Sequence, residues 1–298
     1  MAHRSAWQVL TPQIKAPLTG LFLWLWLGSI WAAPQRIVVL APHAAELVCA
    51  AGGCDHIVGV VDYTDFPPQL KGLPRMGNYT AVDVERLLAL KPDLVVVWDD
   101  GTPKSLIERL QRFGLPLFHS HPRKLDDIPA EIETLGGVLG TQKIATTAAR
   151  ILRAQLAALR RTFNHPPHPK VFYQIWNSPL ITVGRDQFIS QAIRLCGGRN
   201  LFADLSHPAP TVNIETVVRR NPDVILLGGN REKQRLWLKA WQQWPQVTAV
   251  RRHWIYPMPA DLLQRPGPRL IAGTAILCHA LEKTRAQMQP HLRPSSKQ

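Results

Sequence analysis

Aromatic side chains recur in the loops that follow the predicted strands, and they indicate which chemistry this sequence supports. The set is Tyr63, Phe66, Tyr79, Trp98 and Trp176. Aromatic faces with few charges around them suit a large, flat, partly apolar ligand. Asp261 and Arg265, in PADLLQRPGPR, add one carboxylate and one guanidinium, and prolines stiffen the loop beside Arg265. These residue types predict non-covalent binding rather than catalysis.

Histidines in the same loops offer metal binding as a competing chemistry. Zinc and manganese take His and carboxylate ligands, and the donors available here are His43, His119, His121, His207 and Asp261. His119 and His121 would share one face of an extended segment, as a pair of ligands requires. No acidic, His-rich loop accompanies them. Because a flat ligand explains the aromatic loops better, the sequence predicts no metal site and keeps zinc or manganese as an alternative.

Motifs of the common enzyme classes are missing from the sequence. There is no G-x-S-x-G elbow, Walker loop, H-E-x-x-H or G-x-G-x-x-G in the context that each requires. The glycine pair Gly52 and Gly53 follows a predicted helix, whereas a dinucleotide site needs glycines between a strand and a helix. The sequence therefore predicts that the protein is not an enzyme.

An internal repeat indicates the elements that position these loops. Residues 82–97 read VDVERLLALKPDLVVV and residues 212–227 read VNIETVVRRNPDVILL, and the two align without a gap. Asp83 and Asn213 are predicted helix N-caps, and a proline then ends each helix. Each copy continues into an apolar run typical of a parallel strand covered on both faces. The repeat predicts two similar α/β lobes.

One long helix is predicted between the two halves, over Gln142–Phe163, where no Gly or Pro occurs. Its predicted apolar stripe is Ile144, Ala148, Leu152, Leu156, Leu159 and Phe163. At 1.5 Å per residue this helix would be roughly 33 Å long. The predicted fold class is α/β, with two Rossmann-like lobes of parallel sheets joined by one rigid helix and a ligand cleft between them. The predicted divisions are an N-terminal lobe, 34–141, a linking helix, 142–164, a C-terminal lobe, 165–288, and a flexible tail, 289–298.

Residues 1–33 have the organisation of a secretory signal peptide. A basic segment with Arg4 and Lys15 precedes an apolar stretch, residues 18–31, and Ala32 and Ala33 offer a small-residue cleavage site. The apolar stretch is short for a membrane-spanning helix. The sequence therefore predicts export through a cleavable signal peptide.

Export changes the interpretation of the four cysteines, because an oxidising compartment permits disulfides. Cys196 and Cys278 lie in similar settings late in predicted helices, and we predict that they are bonded. Cys49 and Cys54 flank a Gly-Gly helix stop. A small-loop disulfide and two free buried thiols both remain open for this second pair.

The formal net charge is +14. The basic residues are scattered, and no basic-aromatic nucleic-acid motif groups them. The sequence predicts a solvated basic face with some attraction to anionic lipid head groups, and no nucleic-acid partner.

Segments throughout the chain resemble one known family. In order they are DYTDFPP, VERLLALKPDLVVVW, FYQIW, LCGGRNLF, APTVNIE and DLLQRPGPRL. They resemble the periplasmic cobalamin-binding receptors of bacterial ABC importers, in the helical-backbone class (class III) of periplasmic binding proteins. The resemblance implies that Tyr63, Tyr79 and Trp98 line a corrin ring, and that Asp261 and Arg265 meet its amide edge. The chain departs from the family's Phe, Trp and Trp with Ile181, Ala209 and Leu262, and Trp176 is expected to fill that space.

The resemblance also implies a partner and a location. In the family an acidic residue on each lobe docks onto the permease dimer, and the matching positions are Glu85 and Glu215. A first-turn carboxylate also favours the helix dipole, so both interpretations apply. The implied protein is a periplasmic monomer that carries cobalamin as a transported ligand, not as a cofactor. The alternative is a receptor for haem, with His43 as a conceivable axial ligand, for a ferric siderophore, or for zinc or manganese.

Overall fold

Two parallel β-sheets organise the part of the chain that the structure describes, residues 33–78 and 81–288 of a computed structural model. Every strand pair within these two sheets is parallel. One sheet lies within residues 37–120 and the other within residues 170–257, and we call the surrounding structure the N-terminal and the C-terminal lobe. The predicted fold class is confirmed. The predicted signal peptide (apart from Ala33), the predicted tail and Tyr79 lie outside the described residues.

The strands have the same order in the two lobes. They are β1 (Ile37–Val39), β2 (Ile57–Val60), β3 (Gly77–Asn78), β4 (Ala81–Val82), β5 (Leu94–Trp98), β6 (Leu117–Ser120), β7 (Lys170–Gln174), β8 (Arg199–Asn200), β9 (Val224–Leu227) and β10 (Ile255–Pro257). The N-terminal sheet has the order β2-β1-β5-β6, and the C-terminal sheet has the matching order β8-β7-β9-β10. Strands β3 and β4 form a separate antiparallel pair. The repeated strands β5 and β9 therefore occupy equivalent central positions.

Helices pack around both sheets. They are α1 (Pro42–Ala50), α2 (Val84–Ala89), α3 (Lys104–Arg112), α4 (Asp127–Val138), α5 (Gln142–Phe163), α6 (Phe188–Leu195), α7 (Ile214–Arg220), α8 (Arg231–Trp241), α9 (Thr248–Arg251), α10 (Ala260–Leu263) and α11 (Arg269–Met288). The linking helix α5 has the predicted bounds. Among the described helices, none is both long enough and apolar enough to cross a membrane.

The two copies of the repeat begin with the predicted caps. Asp83 Oδ1 accepts a hydrogen bond from Arg86 N at 3.0 Å, and Asn213 Oδ1 accepts one from Thr216 N at 2.8 Å. These bonds satisfy backbone donors that a helix start leaves without an intrahelical partner. The same local chemistry therefore starts α2 and α7.

The aspartate that follows each proline has a role that the sequence pattern did not reveal. Asp93 accepts hydrogen bonds from the backbone N–H groups of Gln35 and Arg36 at 2.8 and 2.9 Å. Asp223 accepts one from Lys170 N at 2.7 Å. Each repeat thus fixes the start of the first strand of its own sheet.

The linking helix buries most of the predicted stripe, since Ala148, Leu152 and Leu159 are half-buried against the core, and it differs at its N-terminal end. Leu156 and Phe163 are buried as predicted, but Ile144 is exposed, and Ala145 and Ala149 are buried instead. A Cβ on Gly136 of α4 would collide with the Ala145 side chain. The helices α4 and α5 approach each other closely at these small residues. The contact with α4 therefore decides which α5 side chains are buried at this end, and the larger Ile144 stays outside.

The core is continuous through the linking helix. One cluster joins buried residues of β1 and β5 to those of β7 and β9, and it includes Leu156 and Phe163 of α5. A separate cluster on the outer face of the C-terminal sheet contains Trp237 and Trp241, with Trp244 packed against it. These tryptophans therefore form a core-facing surface.

Both cysteine pairs form disulfides. The predicted bond between Cys196 and Cys278 is present and joins the end of α6 to α11. Cys49 and Cys54 are also bonded, which resolves the second pair in favour of the small loop. The first bond closes a separation of 82 residues and the second a separation of 5.

Candidate ligand-binding cleft

The loops beyond the carboxyl ends of the strands face each other across the two lobes. Parallel α/β sheets bind ligands at this end, because the loops there are free to vary without disturbing the strands. Three side chains of the C-terminal lobe, Arg265, Arg269 and Gln191, contact the N-terminal lobe, so the two sets of loops form the walls of one cleft.

On the N-terminal wall, the loop after β2 is tied to the opposite lobe through Arg265. Its Nη1 donates to Asp65 Oδ1 at 2.5 Å, and its Nη2 donates to the carbonyl oxygen of Tyr63 at 3.3 Å. Burial alone would raise the pKa of Asp65, but the hydrogen bond and charge of Arg265 hold it below its ordinary value. The Tyr63 backbone is left-handed (φ 62°) and its side chain is 79% exposed.

Arg269 makes a second crossing contact beside the first. Its Nη2 donates to Glu46 Oε1 of α1 at 2.7 Å, and its guanidinium lies 4.2 Å from the ring centroid of Phe66. Burial would lower the pKa of Arg269, but the hydrogen bond and charge of Glu46 hold it above its ordinary value. Neither Glu46 nor Arg269 was predicted as a site residue.

Trp98 ends β5 and stands at the edge of the cleft. Its ring meets that of His43 edge to face, with centroids 5.0 Å apart. A Cβ on Gly101 would overlap the Trp98 ring, which explains the glycine of the WDDG sequence. Burial and the nearby charge of Arg265 lower the pKa of His43 to about 3, so its imidazole is neutral at pH 7.

The loop histidines of the N-terminal lobe are engaged with charged neighbours. His119 Nδ1 lies 2.6 Å from Asp99 Oδ1, and His121 Nδ1 lies 3.3 Å from Asp100 Oδ2 without hydrogen-bond geometry. Arg123 Nε donates to His121 Nε2. Within residues 33–78 and 81–288, no three His, Cys, Asp or Glu side chains are grouped to hold a metal ion.

On the C-terminal wall, Trp176 is partly exposed. Its Nε1 donates to the carbonyl oxygen of Ser178 at 3.1 Å, and Lys233 Nζ lies 3.7 Å from its ring centroid. Trp176, Lys233 and Asp261 line a cavity of about 650 Å³. The structure thus brings together two of the predicted site residues, Trp176 and Asp261, and adds Lys233.

A larger cavity, of about 810 Å³, lies between the lobes beside Trp98. Its lining includes Asp100 and Arg123 from the N-terminal lobe and Phe188 and Gln191 from the C-terminal lobe. Gln191 accepts a hydrogen bond from Leu125 N at 3.2 Å and donates to Arg123 O at 2.8 Å, which joins the lobes at this side. The predicted site residues therefore lie in three groups. Trp98 lines the larger cavity, Trp176 and Asp261 line the smaller one, and Tyr63 and Phe66 lie in the loop that Arg265 contacts.

The three positions that depart from the family pattern lie on the C-terminal lobe. Ile181 pairs with Trp176 through an isolated antiparallel bridge, so their backbones are adjacent. Ala209 is exposed and Leu262 is half-buried next to Asp261.

The predicted docking residues occupy equivalent positions outside the cleft walls. Glu85 and Glu215 lie in the first turns of α2 and α7, and both side chains are exposed. Neither forms an ion pair with any residue that the structure describes.

Comparison with known proteins identifies the family. The model of a family described as periplasmic binding protein matches residues 37–262. Proteins named vitamin B12-binding protein from Vibrio parahaemolyticus and Pectobacterium atrosepticum are 33% and 34% identical, covering 89% of this chain and 97% and 93% of theirs. The periplasmic vitamin B12 binding protein of Vibrio cholerae superimposes with a TM-score of 0.78 at 34% identity, over 84% of this chain and 98% of that one. A periplasmic haem-binding protein of Roseiflexus has a TM-score of 0.75 at 24% identity, over 84% and 99%, and shows the fold alone. This chain belongs to the periplasmic binding protein family.

Proposed function

We propose that this protein captures cobalamin, or a related corrinoid, in the cleft and delivers it to an ABC importer of the inner membrane. The observation that carries the proposal is the two-walled cleft with aromatic side chains on both lobes, the exposed Tyr63 and half-buried Trp98 on one lobe and the exposed Trp176 on the other. Relatives at 33–34% identity that are named for vitamin B12 support it. Binding requires stacking and amide hydrogen bonds, with no chemistry on the ligand.

Each predicted site residue has a specific role in this proposal. Tyr63, Phe66 and Trp98 contact the corrin from the N-terminal lobe, together with Tyr79, and Trp176 contacts it from the C-terminal lobe. Asp261 and Arg265 bond to the amide groups at its edge. Because Arg265 is paired with Asp65 in the structure, an incoming amide exchanges for the carboxylate.

Delivery requires a surface for the permease. We propose that Glu85 and Glu215 provide it, because the repeat gives each lobe an exposed carboxylate at an equivalent helix start. A monomer whose lobes span 34–141 and 165–288, joined by the helix at 142–164, then presents two similar acidic sites to a twofold permease. Residues 1–33 are proposed to direct export to the periplasm and to be removed.

Calorimetric titration of the exported protein with cyanocobalamin tests the proposal. We expect saturable one-to-one binding of cyanocobalamin, and no saturable heat with haem or zinc as parallel ligands. Binding of haem or zinc in place of cyanocobalamin would overturn the proposal. That outcome would indicate that the replacements Ile181, Ala209 and Leu262 have changed the ligand of the cleft.

A further inference from the structure

The segment 265–269, Arg-Pro-Gly-Pro-Arg, belongs to the C-terminal lobe but lies against the N-terminal lobe. It joins α10 to α11. A Cβ on the buried Gly267 would lie 3.1 Å from Glu46 Oε2 and 3.4 Å from the carbonyl oxygen of His43. Contacts this close leave little room for a side chain, so the glycine permits the backbone to pass along the start of α1.

The buried end of this segment is anchored by an ion pair. The Glu46 side chain is 2% exposed and the Arg269 side chain 21%, and their charged atoms are 2.7 Å apart. Glu46 Oε2 and Arg269 Nε have no hydrogen-bond partner among the described residues, so each charge depends on the other. Arg269 also covers the ring of Phe66. One arginine of the C-terminal lobe therefore contacts two separate elements of the N-terminal lobe.

The other end of the segment is more accessible. Arg265 pairs with Asp65 at 2.5 Å, but the Asp65 side chain is 51% exposed and that of Arg265 is 22% exposed. A solvent-exposed ion pair contributes little and exchanges readily, whereas a buried pair that loses one partner leaves an uncompensated charge. The segment thus has a fixed end at Arg269 and an exchangeable end at Arg265.

We infer that Glu46 is a positioning residue of the cleft. Through Arg269 it fixes the segment 265–269 against the N-terminal lobe, sets the separation of the two lobes and places Arg265 at the ligand edge. Glu46 itself does not contact the ligand. A buried ion pair adds little net stability over an apolar pair of similar volume, but it does favour one arrangement of the parts that it joins. The role in ligand binding rests on the proposed function, and the role in lobe separation does not.

The lobe separation can be measured without any ligand. Ser105→Cys and Gln242→Cys place one spin label on an exposed position of each lobe. Because all four native cysteines are disulfide-bonded, only the introduced thiols react. Glu46→Gln and Arg269→Gln are expected to broaden and lengthen the distance distribution, while Arg269→Lys, which retains the charge pair, keeps it closer to that of the parent protein.

The matched control is Glu133→Gln. Glu133 forms a two-point ion pair with Arg153, at 2.8 and 2.6 Å, but that pair joins α4 to α5 and does not cross the cleft. It should leave the distance distribution unchanged. All variants are compared at a temperature where near-ultraviolet circular dichroism shows each to be fully folded.

Titration with cyanocobalamin supplies the second readout. We expect Glu46→Gln to weaken binding about tenfold and Glu133→Gln to leave it unchanged. Parent-like distances and affinity in both Glu46→Gln and Arg269→Gln would overturn the inference. If the parent protein binds no cyanocobalamin but Glu46→Gln still broadens the distances, the proposed function fails and the positioning role stands. Should either single variant not fold, the double variant Glu46→Gln with Arg269→Gln, which leaves no lone buried charge, is measured with the same expectations.

Discussion

The two lobes share their strand order and their repeated helix-turn-strand unit, but they place aromatic side chains differently. In the N-terminal lobe, Tyr63 lies in the loop after β2 and Trp98 lies at the end of β5, both at the cleft. In the C-terminal lobe, Trp237 and Trp241 fill the outer core, while Trp176 lies at the cleft. The common topology therefore specifies a scaffold, and the residues at and just beyond the strand ends make the two walls of the cleft different.

The walls also differ in how their charged groups are used. On the N-terminal side, Asp65 and Asp99 are paired with Arg265 and His119. On the C-terminal side, the ammonium of Lys233 covers one face of Trp176. A flat ligand that stacks on Trp176 must therefore use its other face or displace Lys233.

The largest expected effect is the loss of unfolding free energy when the disulfide of each lobe is removed. Replacing Cys196 and Cys278 with Ala should lower the free energy of unfolding by about 4.5 kcal/mol, because the bond closes a separation of 82 residues. The same replacement of Cys49 and Cys54, separated by 5 residues, should cost about 2 kcal/mol. Urea denaturation of both variants measures the difference. Equal losses would mean that chain entropy does not determine the contribution of these bonds.

The next largest effect concerns two tryptophans, one at the cleft and one in the core. Trp98→Ala should weaken cyanocobalamin binding by about 2–3 kcal/mol, as expected when a ligand-stacking aromatic residue is removed. Trp241→Ala is the matched control, since this buried tryptophan should cost about 3–5 kcal/mol of stability and leave the affinity of the folded protein unchanged. Parent-like affinity in Trp98→Ala would remove this wall from the proposed site.

Much of the fold could be predicted because it depends on local patterns. The repeat contains its caps, its proline stop and its apolar strand in sequence order, so α2, α7, β5 and β9 were all recognisable. The buried face of α5 was harder to predict from the sequence. Its period was correct, but the burial of Ala145 instead of Ile144 depends on the close approach of Gly136 on α4.

The location of Tyr63, Phe66, Trp98 and Trp176 at or after strand ends could be predicted for a related reason, since the apolar pattern reveals the strands. The contacts across the cleft could not. Glu46 and Arg269 are 223 residues apart, and neither shows a sequence feature that identifies its partner. Lys233 lies in the first turn of α8, and its position over Trp176 depends on the packing of this helix against the distant loop after β7. These contacts follow from the tertiary arrangement, and no local rule specifies them.

A smaller effect concerns the buried histidine behind the N-terminal wall. Because the pKa of His43 is lowered to about 3 in the folded protein, the unfolded chain binds this proton more tightly. Stability should therefore fall as the pH decreases from 6.5 to 5, by about 1.4 kcal/mol per pH unit from this group. His43→Phe should remove that slope, whereas His207→Phe, at an exposed position, should retain it. Denaturation between pH 7 and pH 5 measures both, and an unchanged slope in His43→Phe would contradict the assignment.

The smallest expected effect on binding comes from the repeat itself. Reversing both charges, with Glu85→Lys and Glu215→Lys, should change cyanocobalamin affinity by less than about 0.5 kcal/mol, because both side chains are exposed surface positions. Transporter-dependent uptake should nevertheless be impaired if the two lobes dock through these residues. Glu232→Lys is the matched control, since Glu232 is also an exposed first-turn glutamate and carries the same helix-dipole cost of about 0.3–1 kcal/mol.

The single reversals decide whether the lobes are equivalent in docking. If Glu85→Lys and Glu215→Lys each reduce uptake to a similar extent, both copies of the repeat dock to the permease as well as start a helix. If only one reduces uptake, the other glutamate supports its helix start and nothing more. Normal uptake in the double variant would leave the repeat as a folding unit alone, fixed by its caps at Asp83 and Asn213 and by the strand contacts of Asp93 and Asp223.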